Sequence, residues 1–274
     1  MLSVGNLTFG GTGKTPFVEH ACLSLRARGL TPAILSRGYR SLDGARNDEA
    51  LLLARRLPDV PHMQAPDRFR AAASLMDRAD CFVLDDGFQH LPLHRDEDVV
   101  LVDATDPFGG GRCPPGGRLR EPVSALARAT LVVITRCDFV DRDRLGDTMR
   151  RIRAHTAAPV ATATFRASCD VALEGRDVLV ACGVANPRAF VATVERLGAR
   201  AAETRFFRDH HAYGAADAAD LARSGLPVAV TEKDAVKLEP IWPAGAPLAV
   251  VRIDFEPRDN SQAIEAAFDR IARR

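Results

Sequence analysis

Residues Gly5–Pro16 read GNLTFGGTGKTP, and the rest of the chain is organised around them. The stretch ends in Gly13-Lys14-Thr15, the tail of a phosphate-binding loop. Glycines at positions 10, 11 and 13 allow positive φ and close approach of the backbone to a ligand. Consecutive amide N–H groups, Thr12 among them, can then face phosphate oxygens, and the amino end of a following helix adds its positive dipole. In such a loop Lys14 reaches the β- and γ-phosphates and the Thr15 hydroxyl ligates Mg²⁺. Pro16 suits a first helical turn, where its missing N–H is not needed. The pattern departs from the usual one at Thr8, where glycine is expected. Only Met1–Val4 precede the loop, so the spacing implies a very short first strand or residues missing upstream.

Working outward, the sequence alternates apolar runs with helical periodicity. A helix is expected over 17–28 and strands over 31–35, 81–84, 99–102 and 131–135. Helices are expected over 50–57 and 69–78. The pattern restarts after about 164, with strands at 178–182, 201–207, 228–230 and 248–253 and helices at 188–197, 215–223 and 261–274. This alternation predicts an α/β fold: a P-loop NTPase-like, doubly wound, mostly parallel sheet with a second, smaller α/β domain. The expected division is 1–164 and 165–274, with the final helix able to pack back on the first domain.

The ends of the strands carry the candidate chemistry, because ligands of open α/β sheets bind beyond strand carboxyl ends. Arg37 follows the 31–35 strand and reads as an anion contact or a solvated turn residue. Asp85 and Asp86 follow the 81–84 strand, and such acidic pairs organise Mg²⁺ in nucleotide sites. Asp48 precedes a helix and reads either as an N-cap or as a catalytic carboxylate. Residues 104–122 form a long Gly/Pro-rich stretch carrying Arg120 and Glu121, as expected of a binding element or lid. Thr135-Arg136-Cys137-Asp138 stands where a guanine-reading Asn-Lys-x-Asp would stand in a switch GTPase, but Thr135 and Arg136 break that pattern.

A net charge of +1 gives no basic field, and no nucleic-acid partner is expected. The six cysteines are scattered without a C-x-x-C pair, which reads as reduced thiols in a cytosolic setting. No apolar run reaches the ~18 residues of a membrane span. The only lysines are Lys14, Lys233 and Lys237; in a chain that otherwise uses Arg, each points to a need for a compact ammonium.

In order, GNLTFGGTGKTP, SRGYR, NDEA, DDGFQH, FGGGRCPPGGRLREP, RDHH and TEKDAVK resemble the tetraacyldisaccharide 4'-kinase (lipid A 4'-kinase) family from about Gly5 to Lys237. Thr8 at the usual glycine position also resembles that family. The resemblance implies transfer of phosphate from ATP, with Mg²⁺, to the 4'-hydroxyl of an acylated glucosamine disaccharide 1-phosphate in lipid A biosynthesis. It implies Asp48 as general base with His210 as its partner, and Lys14 and Thr15 in the nucleotide loop. It further implies Asp85 and Asp86 near the metal, and Arg37, Arg68, Arg120 and Glu121 lining the substrate site. The resemblance also implies that the segment holding Glu232, Lys233 and Asp234 contacts nucleotide. Because Asp48 and His210 fall in different halves of the sequence, closure of the two domains is expected to assemble the pair.

Two local departures are Ala50, where the family has Pro, and Arg40, where it has Gly. Members typically carry a hydrophobic and basic N-terminal extension that seats them on the membrane; the sequence opens without it. The expected location is therefore peripheral, on the cytoplasmic face of the inner membrane, or soluble in the cytoplasm. The alternatives are a regulatory P-loop GTPase or ATPase switch, a small-metabolite P-loop kinase, and an inactive truncated homologue.

Overall fold

The structure is a computed structural model that describes residues 1–38 and 47–273. Tyr39 and Arg40 of the SRGYR motif and Arg274 lie outside the described residues. The chain forms two compact units: Met1–Asn47 with Leu53–Phe165 and Phe255–Arg274, and Asp48–Leu52 with Arg166–Asp254. The final helix thus groups with the first unit, and the short segment around Asp48 groups with the second.

The first unit is a parallel sheet in the order β3-β2-β4-β1-β5-β6-β7. Its strands are β1 (Leu2–Asn6), β2 (Pro32–Ser36), β3 (His62–Gln64), β4 (Cys81–Asp85), β5 (Glu97–Asp103), β6 (Leu131–Thr135) and β7 (Val160–Cys169). β1 has five residues, all buried, and pairs in register with both β4 and β5 at the middle of the sheet. Strands so placed are apolar on both faces, which is why they read as continuous apolar runs. Helices α1 (Lys14–Ala27) and α8 (Ser261–Ala272) cover one face through Phe17, Val18, Cys22, Phe268 and Ile264. The other face is covered near β5 and β6 by α4 (Arg142–Arg153), with Ile152 fully buried, and near β2 and β4 by α3 (Arg68–Ala73). The sheet is therefore doubly wound.

α1 begins at Lys14, three residues earlier than its periodicity suggests, because Gly13 at φ 88° turns the chain directly into the helix. α3 stops at Ala73, well short of 78, and α2 (Asp48–Arg56) starts two residues early. β3, β7 and α4 gave no clear signal: β3 is three half-buried residues, and β7 is built of Ala and Thr as much as of larger apolar residues.

The second unit is a parallel sheet in the order β11-β10-β8-β9, comprising β8 (Asp177–Cys182), β9 (Arg200–Phe206), β10 (Val228–Thr231) and β11 (Leu248–Pro257). α5 (Pro187–Arg196) packs on one face through Phe190 and Val194. α6 (Ala215–Ala222) and α7 (Glu232–Leu238) pack on the other through Ala218, Leu221, Ala235 and Leu238. α7 is the TEKDAVK segment, and Thr231 caps it by accepting from the Asp234 N–H.

Candidate active site

The phosphate loop runs from the end of β1 to the start of α1, and its geometry explains each residue in it. Gly5 lies where a Cβ would sit 2.5 Å from the Phe88 Cβ and 2.7 Å from the Phe88 nitrogen, so only glycine fits. Thr8 bridges Leu119 in antiparallel fashion, with Phe9 N–H donating to the Arg118 carbonyl (2.8 Å) and Arg120 N–H to the Leu7 carbonyl (2.7 Å). An extended residue needs no positive φ, which is why threonine serves at that position. The Gly/Pro-rich stretch before Pro122 is thus fastened to the phosphate loop by backbone hydrogen bonds. Gly10 (φ 119°) and Gly13 (φ 88°) take the conformations that side chains resist.

Lys14 Nζ donates to Asn6 Oδ1 at 3.2 Å and lies 3.4 Å from Asp86 Oδ1. Arg120 Nη1 lies 2.8 Å from both oxygens of the same carboxylate. Burial alone would raise the Asp86 pKa, but Lys14 and Arg120 outweigh it and hold the group below its ordinary range. Asp86 is itself left-handed, at φ 57°. Arg68 is 3% exposed and donates to the Asp86 carbonyl at 3.2 Å; burial pushes its pKa down despite Asp86 and Asp85 nearby. Glu121 accepts from Gln89 Nε2 and Arg128 Nη2, each at 2.8 Å. Arg37 is exposed just beyond β2, and its charge helps depress the pKa values of Arg68 and His90. Asp85 ends β4 and alternates with Cys81 and Val83, which pack against α1.

A second cluster lies in the second unit. Asp48 is the first residue of α2, and its Oδ2 accepts from Lys237 Nζ at 2.8 Å and lies 3.3 Å from His210 Nδ1. Burial favours the neutral acid, but the hydrogen bonds from His210 and Lys237 and the charges of Lys237 and Lys233 bring Asp48 down to about 2. Lys233 Nζ lies 3.2 Å from Glu49 Oε1, 3.5 Å from Asp209 Oδ1 and 3.3 Å from His210 Nε2. Burial disfavours its charge, yet the two carboxylates raise its pKa. His210 sits at φ 62°, with its backbone N–H on the Gly183 carbonyl at 3.2 Å. The Gly183 N–H in turn donates to Asp234, which also accepts from the Tyr213 hydroxyl at 3.0 Å.

Two expectations change. Asp48 and His210, expected in different domains, fall in one compact unit, with Asp48 Oδ2 3.3 Å from His210 Nδ1. Asp234 is fully buried and its carboxylate is used internally, so it cannot contact a nucleotide. Sequence reasoning gave no role to Asn6, Gln89 or Arg128, and to Lys237 only the need for an ammonium. Lys237 had a signal, being one of three lysines and one helical turn beyond Lys233; Arg128 had none.

The tetraacyldisaccharide-1-P 4'-kinase family profile matches residues 1–272. The tetraacyldisaccharide 4'-kinase of Anaeromyxobacter dehalogenans (strain 2CP-1) is 41% identical over 305 residues, covering 98% of this chain and 80% of the relative. That of Geobacter metallireducens is 39% identical over 267 residues, covering 88% and 79%. The fold is similar to an "apo" form LpxK from Aquifex aeolicus crystallised in complex with ATP, with a TM-score of 0.74, 25% identity, and coverage of 98% of this chain and 87% of that one. Family profile, curated relatives and overall fold agree over nearly the whole length, and the chain belongs to the tetraacyldisaccharide 4'-kinase family.

Proposed function

We propose that the chain is an ATP-dependent kinase that phosphorylates the 4'-hydroxyl of a tetraacyldisaccharide 1-phosphate. The observation that carries this reading is the separation of two kinds of chemistry. Loop amides and the Lys14 ammonium suit a triphosphate, while Asp48, held by His210 and Lys237, suits a hydroxyl proton.

A sugar hydroxyl attacks poorly unless its proton is accepted as the new bond forms. Asp48 takes that proton, and His210 orients the carboxylate. Charge on the transferring phosphoryl group is met by Lys14 and the loop amides. Arg120, Arg68 and Arg37 receive the anionic acceptor, and Glu121 holds the adjoining Gln89 in place. Lys233 is a weaker candidate for nucleotide contact, since its ammonium would have to leave Glu49 and Asp209.

The residues present fit Mg²⁺. Asp85 shares the face of β4 that α1 covers, and Thr15 lies in the first turn of α1. One hydroxyl and one carboxylate, with phosphate oxygens and water completing the shell, suit this ion. Thr15 and Asp85 would hold it, with Asp86 beside them tied to Lys14 and Arg120. When bound, it would neutralise charge on the β- and γ-oxygens.

The two units serve as the phosphate-donor domain and a smaller α/β domain carrying the base. The acylated acceptor places the reaction at the inner-membrane surface, with the chain bound peripherally. Among the described residues no helix is long and apolar enough to cross a membrane. Exposed Phe69, Met76 and Leu91 of the first unit support surface contact. Nothing in these likenesses favours a regulatory switch.

The test follows labelled phosphate from ATP to the disaccharide 1-phosphate and, in parallel, to soluble sugars, with wild type and Asp48→Asn. Transfer to the lipid acceptor by the wild type, strongly reduced in the variant, is expected. No transfer by the wild type overturns the reading, and transfer to soluble sugars alone points to a small-metabolite kinase.

A further inference from the structure

The Thr135–Asp138 segment at the end of β6 stands where a base-reading motif would be expected, and the mechanism above leaves it unused. Its first two side chains are turned to the phosphate loop. Thr135 Oγ1 donates to the Thr12 carbonyl at 3.0 Å, inside a fully buried setting. Arg136 Nη1 donates to the Gly11 carbonyl at 2.9 Å and pairs with Asp103 at the end of β5. Arg136 takes a left-handed backbone conformation, φ 54°, which is strained for a residue with a side chain. Its guanidinium lies 5.5 Å from the centre of the Phe165 ring. That ring also closes on Gly13, where a Cβ would be 2.1 Å from Phe165 Cζ.

Peptide planarity turns these contacts into a statement about the amides. In a trans peptide, the carbonyl of one residue and the N–H of the next point to opposite sides. Drawing the Gly11 carbonyl toward Arg136 turns the Thr12 N–H away from Arg136. Drawing the Thr12 carbonyl toward Thr135 turns the Gly13 N–H away from Thr135. Two successive amides are thereby aimed off the strand ends, just before the unpaired N–H groups of α1. Such a series of amides makes an anion-binding concavity. The Leu7–Phe9 limb of the loop is held separately through Leu119.

We infer that Thr135 and Arg136 are positioning residues for nucleotide binding: they fix the peptide orientations of residues 11–13 before a phosphate arrives. They act through backbone carbonyls and not by reading a base. The inference rests on the loop being the ATP site, as proposed above.

The experiment measures ATP–Mg²⁺ affinity by titration calorimetry, with the melting temperature of the nucleotide-free protein, for wild type, Thr135→Val, Thr135→Ser and Arg136→Gln. Valine replaces the buried hydroxyl with a methyl of the same shape. Thr135→Val is expected to weaken ATP binding about five- to tenfold, the scale of one hydrogen bond, and serine to restore it. Arg136→Gln is expected to raise KM for ATP, leaving KM for the lipid acceptor and kcat at saturating ATP little changed. Unchanged ATP affinity in both Thr135→Val and Arg136→Gln overturns the inference. So does a loss in Thr135→Val that tracks a lowered melting temperature and is not restored by serine. Failure of the wild type to bind ATP overturns the ATP-site reading itself, and this inference with it.

Discussion

The Lys237 ammonium lies 2.8 Å from Asp48 Oδ2, the same oxygen that His210 Nδ1 approaches to 3.3 Å. One carboxylate oxygen is thus shared by a lysine and a histidine. Despite burial, these partners hold the Asp48 pKa at about 2. The group is always ionised near neutrality, but it is a weak base while Lys237 grips it. Both partners hold the charge on the carboxylate, His210 through its hydrogen bond and Lys237 through a hydrogen bond and its own charge.

Replacing Lys237 with Met should raise the Asp48 pKa by about one unit, since a single close cation typically lowers a carboxylate by that much or more. The acid limb of the kcat/KM profile should move to higher pH. A profile identical to wild type would show that Lys237 does not govern the ionisation of Asp48.

The same pair sets a stability window. The Asp48 pKa is depressed from 3.8 to about 2 in the folded chain. A depressed carboxylate stabilises above its unfolded pKa, and that contribution is lost as pH falls through the folded value. Wild type should therefore exceed Lys237→Met in melting temperature at pH 5–6, with the gap closing between about pH 4 and pH 2. Melting curves across that range check it.

Asp48→Asn keeps the shape of the side chain and removes the carboxylate proposed to accept the proton. We expect kcat to fall by roughly 10²–10⁴-fold, with the rise in melting temperature on adding ATP–Mg²⁺ retained. Loss of that rise would mean that Asp48 acts in nucleotide binding instead.

Gly5→Ala should destabilise the centre of the first sheet. The added Cβ meets Phe88 backbone at 2.7 Å, and backbone cannot swing aside as a flexible side chain could. Overpacking of this kind costs about 1–3 kcal/mol, to be read from denaturant unfolding. Unchanged stability would show that the DDGF segment can yield.

Asp234→Ala should leave the Gly183 N–H and the Tyr213 hydroxyl without their buried acceptor. A loss of roughly 2–4 kcal/mol follows from two such groups, together with a lower kcat, because Gly183 also holds the His210 backbone. Asp234→Asn, which retains an oxygen, should recover part of both.

Much of this was legible in residues close together in sequence. Gly13-Lys14-Thr15 after a short apolar strand fixes a phosphate loop, since strand, positive-φ glycine and helix start are local requirements. Apolar runs at 81–84, 99–102 and 131–135 mark buried parallel strands because such strands are apolar on both faces. The limits were equally physical. β3 and β7 are too short or too small-residued to stand out, and α1 starts early because a glycine conformation, not periodicity, sets its first residue.

By itself the sequence determined the loop, the alternation that makes an α/β chain, and, through seven motifs in order, the family. Only tertiary structure decided what holds those residues. It put Asp48 in one unit with His210 and Lys237, which are 162 and 189 positions away. It also joined Thr135 and Arg136 to carbonyls 123 and 125 positions distant. A local pattern records backbone preferences over a few residues. Ion pairs and carbonyl tethers depend on which strand ends the sheet order brings together, and no spacing within the chain encodes that.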